Sequence, residues 1–250
     1  MSTATTNTTT YLTGLRLLTL DDAAKAARTL YQLFRNDALA LLLMNDIQDP
    51  QLRQAAETKM YECYVRQHIL KGVCLGVGED ASTFETVAIF ATPTSEDEGM
   101  FSFATMMELK YNELWDMVPP ATREKFFSGL VPLLHDLCER ILHEPRFRNK
   151  HCWTLVYVGL VERLRGKGNL RKVFSYMFDR YIDNDPDLIC YLELLSPVNI
   201  PIYERFNFHL VENIVLGNKF DGAVEGKDFA VMNVMIRGNK GREWRDTTKL

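Results

Sequence analysis

The most informative segment for predicting the fold is Leu155-Val-Tyr-Val-Gly-Leu-Val-Glu-Arg-Leu-Arg-Gly-Lys-Gly-Asn-Leu-Arg-Lys-Val-Phe174. An apolar strand runs into a loop that contains Gly166 and Gly168, and a helix is predicted to follow. The first N–H groups of a helix and the positive end of its dipole attract anions, and glycines let the backbone approach an anion closely. Basic side chains add charge at Arg163, Arg165, Lys167, Arg171 and Lys172. The stretch therefore indicates an anion-binding loop, with a solvated glycine turn as the plainer alternative.

Two well-known phosphate motifs do not fit this loop. A P-loop needs Ser or Thr after Gly-Lys and another glycine five residues earlier, where this chain has Gly168 and Val161. The dinucleotide motif GxGxxG fails because Arg171 stands at its third glycine. The anion site, if present, belongs to another class of loop.

The segment that follows, Tyr191-Leu-Glu-Leu-Leu-Ser-Pro-Val-Asn-Ile-Pro-Ile-Tyr-Glu-Arg-Phe-Asn-Phe208, predicts the end of a strand, a turn and a short helix. A strand at 153–161, a helix at 169–181 and a strand at 188–195 favour a parallel pair with a right-handed crossover. Asn199 and Tyr203 are four residues apart and share a face if the short helix includes both.

The rest of the chain reads as one α/β domain over residues 11–237. It lies between a disordered Thr-rich tail, residues 1–10, and a polar C-terminal tail, residues 238–250. The remaining predicted elements are a first strand ending before Asp21, one long helical stretch that includes Leu30 to Leu42, helices at 51–70, 106–115 and 120–143, and strands at 73–77, 85–91, 209–216 and 229–236.

Composition excludes several classes of protein. The 250 residues carry 29 basic and 33 acidic side chains, a net charge of −4, which argues against a nucleic-acid partner. The longest apolar run, Ala38 to Met44, is far shorter than the ~20 residues that span a bilayer, so we expect no membrane association. Five dispersed cysteines with no CxxC pair indicate reduced thiols, no metal site, and an intracellular, cytoplasmic protein, with the nucleus left open.

Taken together, the basic loop and the segment after it resemble the GNAT superfamily of N-acetyltransferases. The family's phosphate loop reads Arg or Gln, two residues, Gly, one residue, then Gly or Ala. Arg163-x-x-Gly166-x-Gly168 satisfies every position, but it places Arg171 where the helix should turn a leucine inward. Arg165-x-x-Gly168-x-Leu170 places Val173 inward and matches the Arg-Gly-Lys-Gly sequence that is common in the family. We prefer the second register, although Leu170 replaces a small residue.

Flanking residues extend the resemblance. The strand before the loop carries His151, Trp153 and Leu155, much as many family members do. After the crossover, the order Tyr-Leu-Glu, Asn, Pro, Tyr-Glu-Arg and Phe also matches, with Asn207 in place of the usual glycine. The close resemblance covers residues 151–208, and a looser one extends back to about Leu15.

The resemblance implies a mixed central β-sheet flanked by helices, with central parallel strands that splay apart. It implies that acetyl-CoA is the co-substrate and that its acetyl group passes directly to an amine, of a small molecule or a peptide, within a ternary complex. The backbone of Val158, Gly159 and Leu160 would pair with the pantetheine arm, and Asn199 would lie along the coenzyme. The pyrophosphate would be cradled by Arg165, Gly166, Lys167, Gly168, Asn169, Leu170 and Arg171.

By the same resemblance Tyr203 contacts the coenzyme and is the general acid that protonates the departing thiolate. A phenol with a pKa of ~10 stays protonated at neutral pH and can donate that proton. The general base is open, because the family's glutamate corresponds to Thr154 here. A water molecule, Glu108 or Glu193 could serve, and Glu193 could equally pair with an arginine.

A second hypothesis of another class remains. Leu170, Asn207 and the missing glutamate leave room for a GNAT-fold protein that binds acyl-CoA without catalysis, as a sensor or an interaction protein. Turnover on an amine panel, compared with coenzyme binding, distinguishes the two.

Overall fold

A seven-stranded mixed sheet lies at the centre of the residues that the structure, a computed structural model, describes: 14–80, 82–95, 97–130, 138–162 and 165–242. The strands are β1 (Leu15–Leu17), β2 (Gly72–Glu79), β3 (Phe84–Ala91), β4 (His151–Leu160), β5 (Leu188–Leu194), β6 (His209–Gly217) and β7 (Phe229–Arg237). Their spatial order is β1-β2-β3-β4-β5-β7-β6. The predicted tail at 1–10 lies outside the described residues, as do 243–250 of the predicted C-terminal tail.

Strands β4 and β5 form the parallel pair that the sequence predicts. Their register runs from His151 opposite Leu188 to Leu155 opposite Leu192, and it ends there. Beyond Leu155, β4 continues for five more residues, of which Tyr157 to Leu160 pair only with β3. The two parallel strands therefore splay apart, and the predicted mixed sheet with splayed central strands is confirmed.

A β-bulge in β4 marks the start of the gap. Tyr157 lies opposite Ile89 and Leu155 lies opposite Phe90, so Val156 is an extra residue with no counterpart on β3. A bulge redirects the side chains that follow it. Val156 and Tyr157 accordingly pack on the same face of the sheet, whereas Leu155 and Val158 pack on the other.

Helices cover both faces of the sheet and bury its apolar side chains. One face carries α1 (Ala23–Phe34), α2 (Ala38–Met44) and α3 (Pro50–Lys71), and the other carries the crossover helix α8 (Asn169–Met177). Between β3 and β4 lie α4 (Phe103–Glu108), α5 (Tyr111–Met117), α6 (Pro120–Arg123) and a helical segment α7 at 138–142. In the described ranges, no helix is both long enough and apolar enough to cross a membrane.

The first predicted helical stretch is two helices rather than one. It breaks between Phe34 and Ala38, and the Asp37 side chain accepts a hydrogen bond from the N–H of Leu39 at 3.0 Å. An N-cap of this kind satisfies a helix N–H that would otherwise lack a partner, so it starts α2 in a new direction. The break places the Asp37 carboxylate inside the molecule.

The helix predicted from Pro120 to about His143 is also interrupted. After α6, residues Glu124–Leu130 form a wider π-helical segment, and 131–137 lie outside the described residues. Phe126 and Phe127 are adjacent, yet both rings contact Tyr111, at centroid distances of 6.4 and 6.3 Å. A regular helical turn would direct two adjacent rings about 100° apart, so this packing favours the irregular turn.

All five cysteines are free thiols. Cys63, Cys74, Cys152 and Cys190 are buried, whereas Cys138 is partly exposed. Burial raises the pKa of Cys63 and of Cys190 to about 12, and it raises the pKa of Cys74 and Cys152 further. These four side chains are therefore neutral at physiological pH.

Arg237, at the end of β7, joins three elements of the C-terminal half. Its guanidinium donates to both carboxylate oxygens of Asp183, at 2.8 and 2.9 Å, and to the carbonyl of Phe206 at 3.0 Å. The same group lies 3.7 Å from the centroid of the Phe178 ring. Because Arg237 is only 4% exposed, these contacts form in the interior, where they are strongest.

We expect Arg237→Met to lower the free energy of unfolding by about 2–3 kcal/mol in urea denaturation. Removing one partner of a fully buried ion pair costs about 3–5 kcal/mol, and the partial exposure of Asp183 reduces that cost. Arg146→Met is the matched control, because Arg146 pairs with Glu144 at the surface and such pairs contribute about 1 kcal/mol or less. Equal losses in the two variants would contradict a stabilising role for the buried pair.

Candidate active site

The gap between β4 and β5 opens into a cavity of about 480 Å³. Its wall includes residues 154–158 of β4 and 191–194 of β5. The short helix α9 (Ile200–Glu204) contributes Tyr203, and α3 and the link between α1 and α2 form another side. The volume suits a small-molecule site.

The predicted pantetheine residues lie on the part of β4 that has lost its partner. Val158, Gly159 and Leu160 pair with β3 on one edge, and in the described structure no strand pairs with their other edge. A Cβ atom on Gly159 would stand 2.5 Å from a methyl carbon of Leu33, so glycine at this position lets α1 rest directly on the strand. The free edge can hydrogen-bond an extended ligand as a further strand would.

The glycine-rich loop leads directly into α8. Gly166 and Gly168 have φ angles of +79° and +81°, the left-handed region that favours glycine, and Gly168 is the N-cap of α8. A Cβ atom on either glycine would meet nothing within 4 Å, so the space beside the helix start is open. Arg165, Lys167 and Arg171 are exposed around it, whereas Asn169 is buried.

The packing of α8 agrees with the preferred register. Val173 is fully buried and Arg171 is exposed, as the Arg165-x-x-Gly168-x-Leu170 alignment requires. Leu170 is partly buried against the core of this face, so its side chain turns away from the loop. The alternative register depends on Arg163, which lies outside the described residues.

Tyr203 and Asn199 both line the cavity. Asn199 is the N-cap residue of α9, but its side chain makes no capping hydrogen bond. The Tyr203 ring packs against Phe174 and Phe208, with centroids 6.2 and 6.0 Å away. Burial raises the pKa of Tyr203 to about 12, so its hydroxyl stays protonated at neutral pH. Asn207, where the family has glycine, adopts a φ of +63°, a conformation that asparagine tolerates better than most residues.

Glu193 lies on β5 and is one of the residues that line the cavity. The Tyr191 hydroxyl donates a hydrogen bond to it at 2.5 Å, and no arginine of the described residues pairs with it. Burial raises the pKa of Glu193 to about 7, although the Tyr191 hydrogen bond favours the ionised form. Glu108, the other carboxylate considered from the sequence, is exposed on α4 and does not line the cavity.

The cavity is also lined by Asp37, Tyr61, Tyr64 and Tyr157, which the sequence analysis did not assign to a site. Tyr61 and Tyr64 come from α3 and Tyr157 from β4, and the Tyr157 ring lies 5.5 and 5.8 Å from the other two. Burial raises the pKa of Asp37 to about 6. Asp37 directly precedes the apolar run of α2, which is a recognisable N-cap signal. The tyrosines carried no such signal, since they meet only in the folded chain.

Comparison with known proteins identifies the family. No protein-family model matches the chain. An uncharacterized N-acetyltransferase of Schizosaccharomyces pombe is 32% identical over 197 residues, which cover 78% of this chain and 74% of that protein.

Solved structures share the fold. A polyamine N-acetyltransferase of Drosophila melanogaster aligns with a TM-score of 0.54 at 10% identity, over 90% of this chain and 98% of that one. The histone acetyltransferase HPA2 and related acetyltransferase of Corynebacterium glutamicum aligns with a TM-score of 0.51 at 17% identity, over 90% and 95% of the two chains. The sequence match to a named N-acetyltransferase identifies the family, and the shared fold agrees with it. The chain belongs to the GNAT superfamily of acetyl-CoA-dependent N-acetyltransferases.

Proposed function

We propose that the protein transfers the acetyl group of acetyl-CoA directly to a small amine, with Glu193 as the general base and Tyr203 as the general acid. The observation that carries the proposal is the cavity at the gap between β4 and β5. Both side chains line it, one from β5 and one from the helix that follows β5. A half-buried carboxyl group and a half-buried phenol on one cavity are the pair of groups that this proton transfer needs.

The coenzyme has a natural place beside this cavity. The free edge of β4 at Val158, Gly159 and Leu160 can accept the pantetheine arm, and Asn199 lies beside the same gap. The open space at Gly166 and Gly168, with the N-terminus of α8, suits the pyrophosphate. The remaining residues of this proposed pyrophosphate site lie in the same loop and first turn of α8: Arg165, Lys167, Asn169, Leu170 and Arg171.

The chemistry then uses the two titratable groups in turn. Glu193, ionised above a pKa of about 7, accepts a proton from the acceptor ammonium. The neutral nitrogen attacks the thioester carbonyl carbon and the C–N bond forms. The nitrogen then releases its second proton to water as the C–S bond breaks. Tyr203 donates its hydroxyl proton to the departing sulfur and regains a proton from solvent. Cys152 lines the cavity as a buried, neutral thiol, which disfavours an acetyl-cysteine at that residue.

Thiol release from acetyl-CoA across a panel of amines tests the proposal, with calorimetry of acetyl-CoA binding in parallel. We expect binding and amine-dependent release of coenzyme A. Binding without turnover on any amine would favour the non-catalytic acyl-CoA-binding protein instead.

We expect Gly168→Asp to raise the Kd for acetyl-CoA about tenfold or more, measured by calorimetry, because a carboxylate would stand beside the pyrophosphate at the start of α8. The substitution should leave the fold intact, since the space is open and aspartate tolerates a positive φ. Gly222→Asp is the matched control, with a φ of +85° and equally open space on the loop between β6 and β7. A folded Gly168→Asp protein that binds acetyl-CoA normally would exclude this loop as the pyrophosphate site.

A further inference from the structure

The side of the cavity near α1 and α3 combines a carboxylate with a cluster of aromatic rings. Asp37 lies there with Phe34, Tyr61 and Tyr157, and Tyr64 connects this group to Glu193. We infer that the acceptor carries two cationic groups, as an aliphatic diamine does. One amine reacts beside Glu193 while the other cation is held by Asp37 and the surrounding rings. The inference rests on the proposed acetyl transfer and adds the chemical class of its acceptor.

The Asp37 carboxylate lacks a counter-charge within the described structure. It accepts N–H bonds from the first turn of α2, and no described lysine, arginine or histidine forms an ion pair with it. Another carboxylate, that of Glu225, acts on it by charge repulsion. A partly buried carboxylate without a counter-charge is costly, and a ligand cation would relieve that cost.

The rings around Asp37 also favour a cation. The Tyr157 ring lies 5.4 Å from that of Phe34 and 5.5 Å from that of Tyr61, in edge-to-face arrangements. The electron-rich faces of tyrosine and phenylalanine attract ammonium groups, most strongly where water is excluded. Burial raises the pKa of Tyr61 and Tyr157, and the negative charge of Asp37, which lines the same cavity, raises both further.

Two tyrosine hydroxyl groups on the cavity wall fit the same ligand. Tyr61 and Tyr64 both line the cavity, and the described residues show no hydrogen bond to either hydroxyl. A hydroxyl oxygen that opens onto a cavity can accept a hydrogen bond, so a ligand with several N–H donors fits here better than an apolar one. A monoamine with a hydrocarbon tail would leave Asp37 without a counter-charge.

The basic residues of the cavity do not oppose this arrangement. Lys150 pairs with Asp187 at 2.9 Å, and it lies with His151 at the start of β4, six to seven residues before Tyr157 and so about 20 Å along the strand. His143 lines the cavity from the same end, since the nearby Ile141 packs against Cys152 of β4. His68 is buried, and its pKa is lowered to about 4 by that burial, so it is neutral at physiological pH. The end of the cavity near Asp37 is therefore negative.

The test compares 1,4-diaminobutane with butylamine, which has the same carbon chain and one cation fewer. We expect kcat/KM for the diamine to be about tenfold higher or more. Asp37→Asn should remove most of that preference by raising KM for the diamine, with little change for butylamine or for acetyl-CoA binding. Asparagine is a good N-cap, so α2 should remain intact. Asp49→Asn is the matched control, because Asp49 caps α3 in the same way from an exposed position.

Equal kcat/KM values for the two amines, or equal losses for both in Asp37→Asn, would overturn the inference while leaving acetyl transfer in place. Calorimetry separates the two proposals if no amine turns over. Binding of 1,4-diaminobutane in the presence of coenzyme A that weakens in Asp37→Asn would support the dication site by itself. No binding under those conditions would overturn it.

Discussion

Tyr203→Phe should lower kcat by about 10²- to 10⁴-fold, which is the usual cost of losing a positioned general acid. The substitution removes one oxygen and leaves the ring packed against Phe174 and Phe208. The thiolate must then leave unprotonated or take its proton from water. Affinity for acetyl-CoA should change little, because the phenol acts mainly as the C–S bond breaks. Steady-state kinetics on a good acceptor, with calorimetry of coenzyme binding, measures both quantities.

Tyr181→Phe is the matched control for this prediction. Tyr181 is a partly buried tyrosine that packs against Trp153 and does not line the cavity, so its loss should affect only stability, by about 1 kcal/mol. If Tyr203→Phe behaves like this control and keeps most of its kcat, Tyr203 is not the acid.

Glu193→Gln should lower kcat by a similar factor and also change the pH profile. Glu193 accepts a proton only when ionised, and burial raises its pKa to about 7. In the unmodified protein, activity should therefore fall as pH decreases through about 7, because the carboxyl group becomes protonated. The glutamine variant cannot ionise, so this acid limb should disappear from the pH dependence of kcat.

Two variants separate this role from a general electrostatic effect. Glu204→Gln, an exposed carboxylate on α9, should leave the rate and the acid limb unchanged. Tyr191→Phe removes the hydrogen bond that favours ionised Glu193, so it should move the limb to higher pH. An acid limb that persists in Glu193→Gln would assign the base to another group.

The crossover from β4 to β5 could be predicted because each of its parts has a strong local signal. A run of apolar residues predicts β4, glycines punctuate the loop, and helical spacing predicts α8. The inward position of Val173 also followed from helical spacing, and Val173 is fully buried. These features depend on neighbours within a few residues of each other.

The acceptor side of the cavity could not be predicted in the same way. Periodicity continues across Phe34 to Ala38, so it hides the break that brings Asp37 inside. From the sequence, Tyr61 and Tyr64 are predicted as ordinary core positions of α3, and Tyr157 as an ordinary strand residue. The bulge at Val156, which changes the direction of the Tyr157 side chain, has no such local signal. The pKa of Glu193 is likewise a property of burial, which no local pattern reports.

The buried cysteines matter for an enzyme whose product is itself a thiol. Oxidised coenzyme A forms mixed disulfides with proteins only through attack by a thiolate. Cys63, Cys74, Cys152 and Cys190 are buried and carry raised pKa values, so they provide almost none at neutral pH. The interior of the folded chain is thereby protected from mixed-disulfide formation with the oxidised coenzyme.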